Sequence, residues 1–390
     1  MKSLICLLLS IVCCFDSIHA QDAPPPSIRF ATFNCSLNRK ASGELQEALS
    51  KLADAEARKV AEIIQRVRPD VLLLNEFDFD EGGLAAAGFK KYLATKLSDA
   101  EPIEYAYSFT APVNTGVDSG LDLNSDGKAK TPDDAFGFGL HPGQYGMLVL
   151  SRFPIDEETA RTFQKFRWAD KPKALWPVNP ATNESFYNAE VKAVFRLSSK
   201  SHWDVPIKIG DRVVHLLTCH PTPPVFDGAE DRNGRRNYDE IGFWTDYVGG
   251  KGDYIYDDRG NKGGLAEGEL FVIAGDMNAD PKDGESREKA ILQLLDHPQI
   301  QDPQPKSEGG VEQAKEQGGT NAKHQGDPAF DTGDFADRNV GNLRIDYVLP
   351  SKALTVKNAG VFWPVSTDPN FPLVSASDHR LVWVDVAIRK

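Results

Sequence analysis

The order of apolar and amphipathic segments predicts an α/β protein. A strand is predicted at Ile28–Asn34 (IRFATFN), and a second strand is predicted at Val71–Leu74, which is a continuous apolar run. Between them, residues 42–67 place leucine, valine and isoleucine at helical spacing, and Pro69 follows, so an amphipathic helix is predicted there. A strand, a helix and a second apolar strand in this order indicate a buried sheet with helices outside it.

The remaining segments continue this alternation. A helix is predicted at 87–98, a polar insertion rich in Gly and Asp at 110–143, and a long mobile loop at 301–340. Neither an internal repeat nor a linker divides the sequence, so a single domain is predicted over 21–390. Further strands are predicted at 146–150, 189–197, 212–219, 270–275, 344–349, 356–362 and 381–388.

The first 20 residues have the pattern of a signal peptide rather than of a folded segment. Lys2 gives a positive start, Leu4–Cys14 is apolar, and the small residue Ala20 is a cleavage point before Gln21. No later stretch approaches the roughly 18 consecutive apolar residues that a transmembrane helix needs. We therefore expect an exported protein, either periplasmic or extracellular.

The charge balance bears on the class of substrate. The chain has 390 residues and a formal net charge of −13. An acidic surface disfavours loose, charge-driven binding to DNA or to anionic membranes. It does not exclude a nuclease, because divalent ions can screen a small site that faces phosphate.

Two cysteines remain after the predicted leader, Cys35 and Cys219. One interpretation is two buried thiols on core strands. The other is a single disulfide, which an exported protein can keep. The sequence does not give the distance between the two residues, so both interpretations stay open.

Polar residues stand at the ends of predicted apolar strands or beside them, where α/β enzymes place reactive groups. Each has a structural alternative by itself, such as a cap for the strand-end asparagine or a turn for a lone aspartate. Four carboxylates, two histidines and two asparagines in this arrangement are hard to explain by packing alone. They are Asn34, Glu76, His220, Asp276, Asn278, Asp346, Asp378 and His379.

The motifs that contain these residues resemble the endonuclease/exonuclease/phosphatase superfamily. The order is FNCS, LLLNEFD, YGMLVLSRFPI, LLTCH, IAGDMNADP, RIDYVLPS and SDHRLV, and it spans about residues 28–388. The resemblance implies a four-layer α/β sandwich, in which helices flank two packed, mainly antiparallel sheets. The 110–143 insertion and the long stretch after His220 depart from well-known members, so we expect an unusual rim around the substrate.

The resemblance also implies a catalytic Mg²⁺ or Mn²⁺ ion. Glu76 would be its main ligand and Asp378 a second ligand, while Asn34 would help directly or through water. Hard cations of this kind prefer oxygen ligands and keep several waters.

The other matched residues would carry out the hydrolysis. Asp276 would orient or deprotonate the attacking water, and Asn278 would donate to the phosphoryl oxygens. His379, held by Asp346, would act as an acid/base or charge-stabilising group, and His220 would be a second donor facing the phosphate. This set matches the chemistry, because phosphoester hydrolysis spreads negative charge over the phosphoryl oxygens and fixed donors stabilise that charge.

The insertion contains DLNSDGKAKTPD, a pattern similar to an EF-hand loop. Gly127 stands at position 6, where the sharp turn needs glycine, but the twelfth residue is Asp rather than Glu, and Pro132 precedes it. We expect a structural Ca²⁺ ion that stiffens the insertion, and the alternative is a polar loop that binds nothing. The predicted ligands are Asp122, Asn124, Asp126, Lys128 and Asp133.

Three arginines cluster after His220, namely Arg232, Arg235 and Arg236. One hypothesis is a clamp for phosphate or substrate, since arginine binds phosphate bidentately. The other is a solvated face on which the arginines pair with neighbouring acids. A lid or a packing cluster is predicted for four aromatic residues, Trp168, Trp176, Phe186 and Tyr187.

These observations predict a secreted, metal-dependent phosphoesterase that is a monomer. Its substrate would be a small phosphate ester, a nucleic acid or a lipid headgroup, and an extracellular nuclease is one alternative. A second alternative is a non-catalytic calcium-binding protein of the same fold. A variant Asp276→Ala would separate the two, because only the enzyme loses activity.

Overall fold

The computed structural model describes residues 27–389, so the predicted leader lies outside the described residues. The strands in this part of the chain are β1 (Ile28–Asn34), β2 (Val71–Asn75), β3 (Tyr107–Phe109), β4 (Met147–Ser151), β5 (Arg161–Thr162), β6 (His202–Ile209), β7 (Arg212–Cys219), β8 (Leu270–Asp276), β9 (Gly333–Asp334), β10 (Asn342–Leu343), β11 (Asp346–Pro350), β12 (Leu354–Val361) and β13 (Val382–Ile388). The α-helices are α1 (Glu44–Leu49), α2 (Ala55–Val67), α3 (Leu84–Leu93), α4 (Ala189–Val194), α5 (Arg232–Val248), α6 (Leu292–Leu295) and α7 (Glu308–Gln317).

Two sheets form the centre of the molecule. The first has the order β12-β13-β1-β2-β4-β3 and the second has the order β11-β8-β7-β6-β5. Each contains one parallel pair, β1 with β2 and β7 with β8, and every other pair is antiparallel. Strands β9 and β10 form a small separate ribbon.

The alternation of side chains in β2 shows how the layers are built. Val71 and Leu73 pack between the two sheets, whereas Leu72 and Leu74 point outward to the core under α1, α2 and α3. The strand is a continuous apolar run because both of its faces are buried. On the far side, α5 and α6 cover the second sheet through a core that contains Trp244. The predicted four-layer α/β sandwich is confirmed.

The core between the sheets should account for much of the stability. Leu216 of β7 lies in it at 1% exposure, whereas Leu84 at the start of α3 is 54% exposed. We expect Leu216→Ala to lower the free energy of unfolding by about 2–5 kcal/mol, because it leaves a cavity. Leu84→Ala is the control and should change it by at most about 0.5 kcal/mol. Chemical denaturation measures both, and equal values would contradict this assignment of the core.

The helix predicted at 42–67 is two helices. The chain breaks after α1, where Leu52 has a positive φ of 49°. The side chain of Asp54 then accepts a hydrogen bond from the Ala57 amide at 2.8 Å and begins α2. The apolar spacing continues across the break, which is why the pattern alone predicted one helix. The helix predicted at 87–98 is α3, which lies several residues earlier.

The strand predicted at 189–197 is wrong, because the segment begins with α4. The Asn188 side chain caps this helix by accepting from the Val191 amide at 2.8 Å. Short apolar runs do not distinguish helix from strand, and here the cap decides. Strand β6 was not predicted, and its internal Pro206 is unusual for a strand flanked on both sides.

The segment 301–340 was predicted to be a mobile loop, but it contains α7 and ordered contacts. The Ser307 hydroxyl accepts from the Gly310 amide at 3.1 Å and caps the helix. A Cβ at Gly309 would overlap the carbonyl oxygen of Trp363, so glycine is needed where the helix packs against the segment that contains Trp363. The polar composition did not predict these contacts, because they are a helix cap and a close backbone approach rather than the packing of an apolar helix face.

Both remaining cysteines are free thiols buried in the protein. Cys35 Sγ donates to the carbonyl oxygen of Asn75 at 3.3 Å, and Cys219 Sγ lies 3.5 Å from Met277 Sδ. Burial raises the pKa of the Cys35 thiol to about 12, so it stays protonated. The interpretation as two buried thiols, not a disulfide, is the one that the structure shows. Among residues 27–389, no helix combines the length and apolar character needed to cross a membrane.

Candidate active site

Strand order and register bring most of the predicted site residues to one edge of the sandwich. Strands β1 and β2 are parallel and end together, so Glu76 follows beside Asn34. Strands β7 and β8 are also parallel, so His220 and Asp276 leave the second sheet at the same edge. Strand β11 runs antiparallel to β8 and places Asp346 directly opposite Asp276.

Gly275 allows the two parallel strands to approach closely just before the site. A Cβ at this position would overlap the carbonyl oxygen of Cys219. The glycine of the AGDMN motif is therefore needed for packing, and the aspartate that follows it carries the chemistry.

The Asn34 side chain joins the two halves of the site. Its Nδ2 donates to Glu76 Oε1 at 3.2 Å and to Asp276 Oδ2 at 3.0 Å, and it lies 3.4 Å from His379 Nε2. Its Oδ1 accepts from the backbone amide of Ser36 at 3.3 Å. These partners fix the orientation of the amide, since carboxylates only accept and a backbone N–H only donates. Asn34 is thus a bridging donor here, and its oxygen faces away from the carboxylates.

Two donors hold the Asp276 carboxylate. Asn34 Nδ2 donates to Oδ2 and the Asn278 amide donates to Oδ1 at 2.9 Å, while His220 Nε2 lies 3.3 Å from Oδ2. Burial raises the pKa of Asp276 to about 6, although His379 acts in the opposite direction. A buried carboxylate with a raised pKa and a fixed orientation has the properties of a general base.

His379 is oriented by a carboxylate behind it. Its Nδ1 lies 2.9 Å from Asp346 Oδ2, and its Nε2 lies 3.7 Å from Asp276 Oδ2. The Thr332 hydroxyl donates to the same Asp346 oxygen at 2.9 Å and accepts from two backbone amides. Burial lowers the pKa of His379, but the two carboxylates outweigh it and raise the pKa to about 10. The predicted Asp–His pair is therefore present in the structure.

His220 differs from His379 in its protonation. It is buried at 2% exposure, and its Nδ1 has no hydrogen-bond partner among residues 27–389. Burial lowers its pKa well below the usual value for histidine, and Lys200 adds to this effect. The neutral imidazole places its Nε2 3.3 Å from Asp276 Oδ2.

Asn278 has a positive φ of 50° at the turn after β8. Its Nδ2 donates to the carbonyl oxygen of Pro221 at 3.1 Å. This bond links the loop after β8 to the loop after β7. Donation to a phosphoryl oxygen stays a prediction for this side chain.

Glu76 is the carboxylate best suited to hold a cation. It also has a positive φ, 57°, and its Oε2 accepts from Asn38 Nδ2 at 2.9 Å. No lysine, arginine or histidine nitrogen of residues 27–389 lies within 4.0 Å of it, and burial raises its pKa. A half-buried carboxylate that accepts from two amides but contacts no cationic side chain of the described chain fits a divalent ion. Asp378 is exposed, and its Oδ1 lies 4.0 Å from His379 Nε2, so it stands at the same edge.

A second group of residues has metal-ligand geometry. Within the described residues, Asp276, Asp346 and His379 are the one set of three or more acidic, His or Cys residues whose ligand atoms lie within 4.8 Å of one another. However, Asp346 already occupies His379 Nδ1, and both carboxylates favour the protonated ring. A metal needs an unprotonated imidazole nitrogen. We therefore interpret this set as a hydrogen-bonded acid/base group, which leaves Glu76 as the better metal ligand.

The side chains of the EF-hand-like loop accept hydrogen bonds from its own backbone. Asp122 and Asn124 accept hydrogen bonds from the Asp126 amide, and Asp126 accepts from the Lys128 amide. Asp133 is exposed, and no set of three acidic ligands forms within this loop of the described chain. Calcium binding by this loop stays a prediction.

The three clustered arginines have different positions. Arg236 is buried and donates to the carbonyl oxygens of Phe136, Leu197 and Arg196, so it ties the insertion to the core. Arg235 donates to the carbonyl oxygens of Glu230 and Trp176. Arg232 pairs with the Glu230 carboxylate and lines a cavity. The four predicted aromatic residues form a packed cluster, with Trp168 and Trp176 ring centroids 4.5 Å apart.

A cavity of about 510 Å³ adjoins the site. Glu76 and His220 lie in its wall, and so do residues of the insertion, which connects β3 to β4. The insertion is anchored by Asn114 Nδ2, which donates to the carbonyl oxygens of Gln164 and Ser198 at 2.7 and 2.8 Å.

Sequence reasoning missed three residues of this region. Asn38 contacts Glu76, Thr332 contacts Asp346, and Lys200 lines the cavity. None follows an apolar strand, so the strand-end pattern did not select them. Thr332 lies in the segment predicted to be a mobile loop.

Thr332 should affect catalysis through Asp346. We expect Thr332→Val to lower kcat about tenfold, because the loss of a hydrogen bond to a charged group costs roughly 1.5 kcal/mol or more. Thr159→Val, an exposed position, is the control. Steady-state kinetics measures both, and unchanged kcat in Thr332→Val would show that Asp346 orients His379 without this hydroxyl.

The comparison with known proteins agrees with this geometry. The model of the Endonuclease/Exonuclease/phosphatase family matches residues 31–379. The chain belongs to the endonuclease/exonuclease/phosphatase family. As a member, it is a metal-dependent hydrolase that acts on phosphoester bonds.

The solved structures to which this chain is similar are distant in sequence. An endonuclease/exonuclease/phosphatase from Beutenbergia cavernae DSM 12333 is 18% identical with a TM-score of 0.51, over 93% of this chain and 72% of that chain. Sphingomyelinase C from Streptomyces griseocarneus is 17% identical with a TM-score of 0.46, over 93% of this chain and 99% of that one. A family protein from Bacteroides thetaiotaomicron is 12% identical with a TM-score of 0.46, over 94% and 100%. No curated protein matches this chain.

Proposed function

We propose that this family member is an exported phosphoesterase that uses Mg²⁺ or Mn²⁺ and cleaves phosphodiester or phosphomonoester bonds with a directly attacking water. The observation that carries the proposal is the Asp276 carboxylate, held by Asn34 Nδ2 and the Asn278 amide between Glu76 and the Asp346–His379 pair. Export rests on the sequence of residues 1–20.

Asp276 would accept the proton of the attacking water. Its two oxygens are fixed by Asn34 Nδ2 and the Asn278 amide, so the carboxylate does not need to reorient during the reaction. Fixed donors and acceptors of this kind lower the barrier because no reorganisation is needed in the transition state.

His379 would stabilise the charge that develops on the phosphoryl oxygens. Asp346 keeps Nδ1 protonated and directs Nε2 toward the space beside Asp276. The Nε2–H can donate to a phosphoryl oxygen or pass a proton to the leaving group. His220 and Asn278 would add neutral donors on the other side.

The proposed metal site consists of Glu76 and Asp378, and Asn34 keeps Glu76 in place. An ion there would supply positive charge against the phosphoryl oxygens, as divalent ions do in phosphoester hydrolysis. Because the Asn34 oxygen faces Ser36, its contribution would be to orient the Glu76 carboxylate rather than to bind the ion directly.

A substrate panel tests this proposal. Residues 21–390 would be assayed with Mg²⁺, Mn²⁺ or Ca²⁺ against bis-p-nitrophenyl phosphate, p-nitrophenyl phosphate, plasmid DNA and sphingomyelin. We expect metal-dependent hydrolysis of at least one, with small esters preferred. A preference for plasmid DNA would favour the extracellular nuclease. Silence on all four from folded protein would count against a broad phosphoesterase.

A further inference from the structure

The cavity beside the site contains a buried cation without a direct partner. Lys200 lines it and is 7% exposed. Within residues 27–389, no carboxylate oxygen lies within 4.0 Å of its Nζ, and Nζ makes no hydrogen bond. Burying an ammonium group in this way is costly unless something compensates it.

In the described part of the chain, no charged group contacts Lys200 to offset the free-energy cost of burying its ammonium group. Burial lowers the pKa of Lys200, and the negative charges that oppose this effect are those of Glu240, Glu76 and Asp276. The Glu240 oxygens are already used, since they accept from the amides of Ser199 and Thr222 at 2.6 and 2.7 Å. The buried Arg236 also balances Glu240. Lys200 therefore stands near the catalytic carboxylates with its donors free.

The remainder of the cavity is suited to an organic group. Its apolar lining includes Tyr187 and Phe195, and Leu123 and Phe138 of the insertion. Phe226 stands at its rim, 85% exposed. A volume of about 510 Å³ lies in the range of small-molecule sites.

We infer that Lys200 binds the phosphate of a small organic phosphoester, whose organic part occupies the aromatic side of this cavity. The inference rests on the proposed function and deepens it, because it names the substrate class. The cation, the apolar walls and Glu76 with His220 belong to one cavity, so a single small molecule can contact all three. Duplex DNA is too wide to enter it.

Binding of inorganic phosphate tests the cation without requiring turnover. Isothermal titration calorimetry with Mg²⁺ would compare the wild type, Lys200→Met and the exposed-site control Lys51→Met. We expect Lys200→Met to raise the Kd for phosphate about 10- to 100-fold, the range of charge-assisted hydrogen bonds. Lys51→Met should match the wild type. Since Lys200 has no structural partner, the Tm of Lys200→Met should equal or exceed that of the wild type.

The outcomes separate this inference from the proposed function. Equal phosphate affinity in Lys200→Met and Lys51→Met, or no phosphate binding by the wild type, would overturn it whether or not the protein hydrolyses esters. A lowered Tm with unchanged affinity would assign Lys200 to the core instead. Altered affinity in a protein that hydrolyses nothing would uphold the anion site and reject the proposed function. A higher kcat/KM for plasmid DNA than for bis-p-nitrophenyl phosphate would overturn the small-substrate class.

Discussion

Asp276→Asn should reduce kcat by about 10²- to 10⁴-fold, the contribution of a positioned general base. The amide keeps the shape of the carboxylate, and its single oxygen can still accept from the Asn278 amide, but its nitrogen then replaces the oxygen that accepts from Asn34 Nδ2. It cannot take a proton from water. The measurement is kcat on the best substrate of the panel, with the Tm measured in parallel to show that the fold is intact.

The matched control for this variant is Asp211→Asn, because Asp211 is exposed in the turn between β6 and β7. It should retain wild-type kcat. A folded Asp276→Asn variant with kcat within about threefold of the wild type would assign the base to another group.

Glu76→Gln should lower the affinity for the activating metal by at least about 100-fold, since even residues behind a metal ligand contribute 10- to 100-fold. The amide removes the negative charge of a carboxylate whose pKa burial raises and which contacts no cationic side chain of residues 27–389. Activity should be lost at low metal concentration and partly return at high concentration. Kinetic titration with Mg²⁺ or Mn²⁺ measures this shift.

Two further variants make this experiment decisive. Glu81→Gln, at an exposed position a few residues later, is the control and should behave as the wild type. Asp346→Asn should lower kcat with little change in the metal concentration needed, because we assign Asp346 to His379. A larger loss of metal affinity in Asp346→Asn than in Glu76→Gln would place the ion among Asp276, Asp346 and His379 instead.

The sequence was sufficient for the fold class and for the residues at strand ends. Strands such as β2 and β8 are short, continuous apolar runs, and a polar residue after each is easily recognised. Parallel pairing of β1 with β2 places Glu76 beside Asn34, and parallel pairing of β7 with β8 places Asp276 near His220; the packing of the two sheets then brings both groups together.

Contacts that depend on three-dimensional approach were not predictable in the same way. Thr332 reaches Asp346 from a polar segment, and Lys200 enters the cavity beside a strand that was not predicted. The orientation of the Asn34 amide follows from its neighbours across two sheets, not from its place in a motif. The break before Asp54 and the cap at Asn188 are local, but the apolar periodicity around them obscured both.

The most direct test of the account is hydrolysis before and after metal removal. The protein would be treated with EDTA, dialysed, assayed on bis-p-nitrophenyl phosphate, and then assayed again as Mg²⁺ or Mn²⁺ is added back. We predict that activity is lost when the metal is removed and recovers when the metal is added back. The Asp276→Asn variant should show neither change. Full activity in the metal-free protein would contradict the account.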